Sequence, residues 1–466
     1  MLTEQLAVAR QQPSQYVAST TAPNFLEALR AREFARLDAD DHAYLDFTGS
    51  ALYPDSVVAA HAAMMRGCVL GNPHSESRAS LASSALVAEA KARVLRFLDA
   101  NESEYTVCFT ANASAAVGLV AESFRFGPLA PLVLSADNHN SMNGVREYAK
   151  RAGAAVHYLP LDDELRLDRA EGRLHALPRL NAGLFAFPAQ SNFSGVRHSL
   201  ELVRRAQARG YRVLLDAAAY LPTSRLSLRE VPVDFVALSF YKMFGYPTGI
   251  GALIARRTSL AELRRPWFAG GTVDFVSVQN GIHALREGSE GFEDGTANFL
   301  AIGAIPAGLD FLEQVGVERV ERRASWLALR LMRELDQMRH GNGAPLARVY
   351  GPTNGERRGA TVAFNVLDAS GAAIPYQVVE ERARAARVSV RGGCFCNPGA
   401  AETAFGFAAD HARRCLLETR ATGWSIAQFA ECMQGNAVGA IRASFGAPSN
   451  GNDLERLLAV IATFGS

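Results

Sequence analysis

Two side chains of opposite charge stand directly after apolar runs in the middle of this chain. Asp216 closes YRVLLD, and Lys242 follows DFVALSF within SFYKMFGYPTGIG, 26 residues further on. In an open parallel sheet, ligands gather beyond the carboxyl ends of the strands, so polar residues at those ends matter most. A carboxylate and a lysine on neighbouring strand ends suit pyridoxal phosphate. The lysine forms a Schiff base with its aldehyde, and the carboxylate keeps its pyridine nitrogen protonated. Taken alone, a strand-end Asp or Lys is more often a solvated side chain or a helix cap, so the pair needs companions.

Several companions follow other apolar runs. Thr110, Ala111, Asn112, Ala113 and Ser114 lie between YTVCFT and a helical stretch. Free backbone N–H groups at such a helix start favour an anion, although a plain N-cap fits equally well. His139 comes after PLVLSA, where its ring can lie flat against a cofactor. Asn192 comes after AGLFAFPA, where its amide can donate to a phenolic oxygen or simply form a turn before Gly195. Cys394 and Cys396 stand two apart in RGGCFCNPGA, whose glycines and proline spell an irregular loop. No second pair at zinc-finger spacing accompanies them, so no metal site is expected. Six cysteines are too sparse for a disulfide framework. All are expected as free thiols, with Cys68, Cys108, Cys415 and Cys432 acting as small hydrophobes.

The elements that must position these residues read as an α/β fold. Candidate strands are YTVCFT, PLVLSA, AAVHYLP, AGLFAFPA, YRVLLDA, DFVALSF and GALIAR. Amphipathic stretches at 81–100, SMNGVREYAKRAG and SLELVRRAQARG lie between several of them, the pattern of a mostly parallel sheet covered by crossover helices. A long helical pattern from about 300 to 340 is expected to link two lobes. Beyond it ATVAFNVL, RVSVRGG and DLERLLAVIATF suggest a smaller α+β lobe. The expected division is an N-terminal segment 1–44 that folds back onto the second lobe, a large lobe 45–315 and a small lobe 316–466.

Composition narrows the partners. With 48 Lys+Arg against 47 Asp+Glu, the net charge of +1 provides no field for nucleic acid or an anionic membrane surface. No apolar run reaches the ~18 residues of a membrane span. The start, MLTEQLAVARQQ, lacks the basic and apolar regions of a signal peptide, and a cytoplasmic location is expected.

Five ordered motifs, SFYKMFGYPTGIGAL, PAQSNFSGVR, FEDGTANFLAI, RGGCFCNPGA and GAIRASFG, resemble the aminotransferase class V superfamily. More narrowly, they resemble the pyridoxal phosphate domain of molybdenum cofactor sulfurases, relatives of cysteine desulfurases and selenocysteine lyases. The resemblance runs from about residue 45 to the C-terminus. It implies a pyridoxal phosphate fold-type I homodimer that converts L-cysteine to L-alanine and leaves an enzyme persulfide. By motif it makes Lys242 the Schiff-base lysine, Asp216 the pyridine-nitrogen partner, His139 the stacking ring and Asn192 the phenolic-oxygen contact. Asn112, Ala113, Ser239 and Tyr241 fall at the phosphate and cofactor cradle. Thr296 falls where a threonine reaches the phosphate from the other subunit, and Cys396 falls at the nucleophile. Arg442 matches the substrate-carboxylate clamp, with Arg391 a second candidate. The chain differs from the sulfurase pattern at Ala401, where a further Cys is usual. No counterpart of the domain that receives the molybdenum cofactor is expected, and hence a separate sulfur acceptor, protein or metabolite, is expected. A lyase, epimerase or aminotransferase that needs no thiol, and a non-catalytic sulfur-relay subunit, remain alternatives, as does selenocysteine as substrate.

Overall fold

A computed structural model describes residues 25–176, 183–423, 425–433 and 437–465. All seven apolar runs form strands of one sheet: β1 (Tyr105–Thr110), β2 (Leu132–Ser135), β3 (Val156–Leu159), β4 (Gly183–Pro188), β5 (Tyr211–Asp216), β6 (Phe235–Ser239) and β7 (Gly251–Arg256). Their order is β3-β2-β4-β5-β6-β7-β1, with only β7 running antiparallel to its neighbours. Apart from the edge strand β3, where His157 and Tyr158 are exposed, the runs lack polar alternation because both faces are covered. Phe185, Phe187, Val213 and Leu215 pack into the core on one side, whereas Leu184, Ala186 and Leu214 pack into the core on the other. Parallel pairing of β4, β5 and β6 aligns Pro188 with Asp216 and Asp216 with Ala237. The residues that follow these strands therefore converge at one edge.

The helices anchor that edge. α1 (Arg78–Phe97) occupies the first amphipathic stretch, capped by Ser77, whose hydroxyl accepts from Ser80 N. α2 (Ala113–Ser123) follows β1 directly, with Asn112 as its N-cap. The long pattern near 300–340 is not one helix. It forms α3 (Ile305–Val315) and α4 (Val317–Gln337), bent by 67° at Gly316, whose φ of +82° suits a residue without Cβ. α4 buries Val320, Ala324, Leu327, Leu331 and Leu335, a stripe at helical spacing. That stripe covers a second, antiparallel sheet in the order β8 (Ala347–Tyr350), β9 (Thr361–Val366), β11 (Ala440–Ser444), β10 (Arg391–Gly393). The final helix, Gly451–Ala462, packs on the same core.

RVSVRGG is not a single strand. Val388–Ser389 pairs with Ala43–Tyr44, whereas β10 pairs with β11. The described part of the segment before residue 45 touches both lobes: Leu26, Leu29, Phe34 and Leu37 join the core of the main sheet, whereas Ala43 joins that of the smaller sheet and buried Arg30 pairs with Asp453 at 2.7 Å. Residues 1–24 lie outside the described residues. β8 was not foreseen, nor was the hairpin of Val273–Ser277 with Ile282–Leu285, which leaves Phe275 54% and Val278 92% exposed. The expectation of six free thiols fails at Cys415 and Cys432. Two short helices bring their Cα atoms to 5.6 Å, and they form a disulfide. Cys68, Cys108, Cys394 and Cys396 are free. Among the described residues no single helix is long and apolar enough to cross a membrane.

Candidate active site

The strand ends open into a cavity of about 340 Å³. It is lined by Asn112, Ala113, His139, Asn192, Asp216, Ser239, Tyr241 and Lys242, eight of the residues singled out from the sequence. Each arrives by a short path: Asp216 ends β5, Ser239 ends β6, and Tyr241 and Lys242 sit in the single helical turn Phe240–Phe244 that follows. At the start of α2, Asn112 Oδ1 accepts from Ala115 N at 3.0 Å, and Ala113 N donates to Ser239 Oγ at 2.8 Å.

The charged pair is poised rather than neutralised by contact. Ala218 N donates to Asp216 Oδ1 at 2.9 Å, which fixes the carboxylate and leaves Oδ2 with no partner among the described residues. Burial lowers the Lys242 pKa below its usual value. The positive charges of Arg442 and Arg391 add to the effect, while Asp216 and Cys396 oppose it. His139 Nδ1 accepts from Ser141 N at 3.2 Å, which leaves Nε2 to carry the proton of a neutral ring. Burial depresses its pKa as well, against the pull of Asp216.

The cysteine loop is held over this edge by long-range bonds. Phe395 and Cys396 have φ of +56° and +55°, two successive non-glycine residues in the left-handed region. Such conformations cost about 1–3 kcal/mol each and persist only where the surroundings impose them. Here Asn192 Nδ2 donates to Phe395 O at 2.7 Å, and Asn140 N donates to Cys396 O at 2.7 Å. Buried Asn397 donates to Asp137 O at 2.6 Å and to Asn192 Oδ1 at 2.9 Å. Gly399 packs so close that a Cβ there would lie 2.1 Å from Ala136 O. Both loop thiols are exposed. Cys396 is not among the residues lining the cavity, but its charge contributes to the field at Lys242, whereas that of Cys394 contributes at Tyr376.

Four sequence candidates are not among the residues that line the cavity: Cys396, Arg442, Arg391 and Thr296. Arg442 is buried beside it, donating from Nη1 to Asn192 O at 3.0 Å and from Nη2 to Asp46 Oδ1 at 2.9 Å. Arg391 holds the same carboxylate, with Nη2 2.6 Å from Asp46 Oδ2. Thr296 is exposed and lines a neighbouring cavity with Thr110, Ala111 and Gly249, its hydroxyl accepting from Asn72 Nδ2 at 3.2 Å. Asn192 lines the cavity as expected, but one N–H of its amide is spent on the cysteine loop.

Asp46, Gln190 and Asn397 were missed. Asp46 follows the short strand Ala43–Tyr44 and Gln190 follows β4, so the strand-end rule that found Asp216 would have reached both. Among the described residues no group of three His, Cys, Asp or Glu is arranged to hold a metal ion. An unpartnered amine, an open carboxylate oxygen, a neutral ring and a helix start fit a flat, protonated, phosphorylated aldehyde.

The chain is 34% identical to molybdenum cofactor sulfurase of Solanum lycopersicum over 94% of its length, and 34% identical to that of Bos taurus, also over 94%. It spans only 57% and 52% of those proteins, somewhat more than half of the curated relatives it matches. The apo cysteine desulfurase of Thermococcus onnurineus NA1 is 26% identical with a TM-score of 0.75, covering 94% of this chain and 98% of that one. The complex of the cystine C–S lyase C-DES with cysteine persulfide shares the fold at 18% identity and a TM-score of 0.70, covering 93% and 100%. The aminotransferase class-V family model matches residues 43–457, and with that match over nearly the whole chain the protein belongs to the aminotransferase class-V family.

Proposed function

We propose that this protein is a pyridoxal phosphate-dependent cysteine desulfurase that converts L-cysteine to L-alanine and carries the released sulfur as a persulfide on Cys396. The observation that carries the reading is the exposed Cys396 on a loop pinned by Asn140 and by Asn192, which itself lines the cavity of Lys242 and Asp216. Lys242 and Asp216 would hold the cofactor's aldehyde carbon and ring nitrogen, His139 its ring face, and Asn112, Ala113 and Ser239 its phosphate. When bound, pyridoxal phosphate supplies an electron sink for the charge that develops at the substrate Cα.

The protein's own groups do the rest. Arg442 receives the substrate carboxylate, a task suited to guanidinium geometry. Lys242 Nζ, held toward its neutral form by burial, takes and returns the Cα proton. Cys396 Sγ, as thiolate, takes the substrate sulfur, forming an S–S bond as the Cβ–S bond breaks; the bond pair stays with Cβ, which takes up a proton and becomes the alanine methyl. Its exposure then lets a separate acceptor reach the persulfide. The loop thiols stay available in a reducing compartment, which supports a cytoplasmic setting, although the Cys415–Cys432 disulfide weighs against it. Residues 45–315 act as the cofactor-binding lobe and 316–466 as the lobe that brings the thiol and Arg442.

With L-cysteine and no added thiol, one turnover should give equal amounts of alanine and protein-bound sulfane sulfur. Pyruvate and free sulfide without sulfur on the protein would assign a thiol-independent lyase instead. L-Selenocysteine run in parallel decides between the two amino acids.

The reading also includes a homodimer in which Thr296 serves the partner's phosphate site. The exposed hairpin bearing Phe275 and Val278 lies near in sequence and suits burial by a second copy. Mixing Lys242→Ala protein with Thr296→Val protein should restore part of the activity through hybrid sites. A fully active monomer at high dilution would contradict this arrangement.

A further inference from the structure

We propose that Asp46 is the built-in occupant of the carboxylate clamp, and that Arg391 draws it aside when a substrate carboxylate reaches Arg442. The inference rests on the reading of Arg442 as that clamp. Two guanidinium groups share one carboxylate here. Asp46 Oδ1 accepts from Arg442 Nη2 at 2.9 Å, while Oδ2 accepts from Arg391 Nη2 at 2.6 Å and Nε at 2.9 Å. Side-chain exposure is 3% for Arg442 and 10% for Asp46, but 50% for Arg391. A buried positive charge without full compensation is costly, so the site is short of one anion. Arg442 Nε, buried and without a hydrogen-bond partner, is the place where that shortage shows.

The carboxylate is wedged in place from behind. Gly49 packs against it so tightly that a Cβ would lie 2.5 Å from Asp46 Oδ2 and 2.7 Å from Arg391 Nη2. Thr48 N donates to Ser444 Oγ at 2.9 Å and fixes the same turn to β11, the strand that carries Arg442. Asp46 therefore has little room to leave, and it can only shift its weight between two partners. An arriving carboxylate at Arg442 tips it toward Arg391. A ligand without a carboxylate leaves Asp46 across both, which makes this triad a selector for α-amino acids over simple amines. Arg391 is then a positioning residue that acts through Asp46, not a second clamp on the substrate.

The test uses the cofactor-loaded protein and propionate, a carboxylate without an amine, whose binding is read by calorimetry without any turnover. Arg391→Gln should leave Asp46 wholly on Arg442, weakening propionate about tenfold and raising the KM for L-cysteine by a similar factor. Asp46→Asn should bind propionate about tenfold more tightly than the parent. The double variant should follow Asp46→Asn, because with the competing carboxylate gone Arg391 has nothing to hold. A double variant weaker than either single one would show that Asp46 merely braces Arg442, and would overturn the proposal. Should Asp46→Asn fail to fold, unchanged propionate binding in Arg391→Gln overturns it alone. If the propionate series runs as stated while L-cysteine yields no alanine, the clamp stands and the desulfurase reading falls.

Discussion

Cys396→Ser is expected to abolish persulfide formation and to lower alanine production from L-cysteine by about three orders of magnitude or more, because the reaction loses its nucleophile. Cofactor binding should survive, since Cys396 is not among the residues that line the cavity. Serine keeps the backbone hydrogen bond from Asn140 N to the residue's carbonyl, so the loop should hold its shape. Cys394→Ser should be milder, within a few-fold, since that thiol lies toward Tyr376 rather than Lys242. Mass spectrometry of the loop peptide after a single turnover without reductant locates the added sulfur. Sulfur on Cys394 would reverse the assignment. Undiminished alanine from the double variant would move the protein to the thiol-independent lyases.

Lys242→Ala should cost still more, at least about four orders of magnitude in turnover, because in the proposed reaction one nitrogen both holds the cofactor and moves the substrate proton. The rest of the cradle is untouched, so the variant should still bind pyridoxal phosphate non-covalently. Asp216 Oδ2, the α2 start and Ser239 provide for that. Borohydride reduction of the parent followed by peptide mapping should place the cofactor on Lys242 and nowhere else. A yellow protein whose Lys242 peptide is unmodified would sink the assignment. The altered environment of this lysine supports the large effect: an amine desolvated beside Arg442 and Arg391 releases its proton more readily than one in water.

Much of this site was legible from local sequence, for a physical reason. A strand buried on both faces must be a continuous apolar run, so the strands of the main sheet other than the half-exposed edge strand β3 announced themselves for that reason, and a ligand site at the ends of the parallel ones follows from topology. Asp216, Lys242, His139, Asn192 and the residues opening α2 were found that way, and the structure brings them to one cavity. The exposed hairpin and β8 left no such trace, because half-exposed short strands do not need an apolar run.

What the sequence by itself determined was thus the sheet, the identity of the groups at its edge, and an irregular loop bearing two cysteines. Tertiary structure alone decided who touches whom across long stretches of chain. Asp46 meets Arg442 and Arg391 at separations of 396 and 345 residues, and Asn192 meets the cysteine loop at a separation of 203. Cys415 and Cys432 pair because two short helices turn them together, and the linker helix breaks at Gly316 because α3 and α4 serve different cores. Periodicity records which face of an element is buried, but not which distant element covers it. A carboxylate shared between two arginines therefore becomes visible only when the chain is folded.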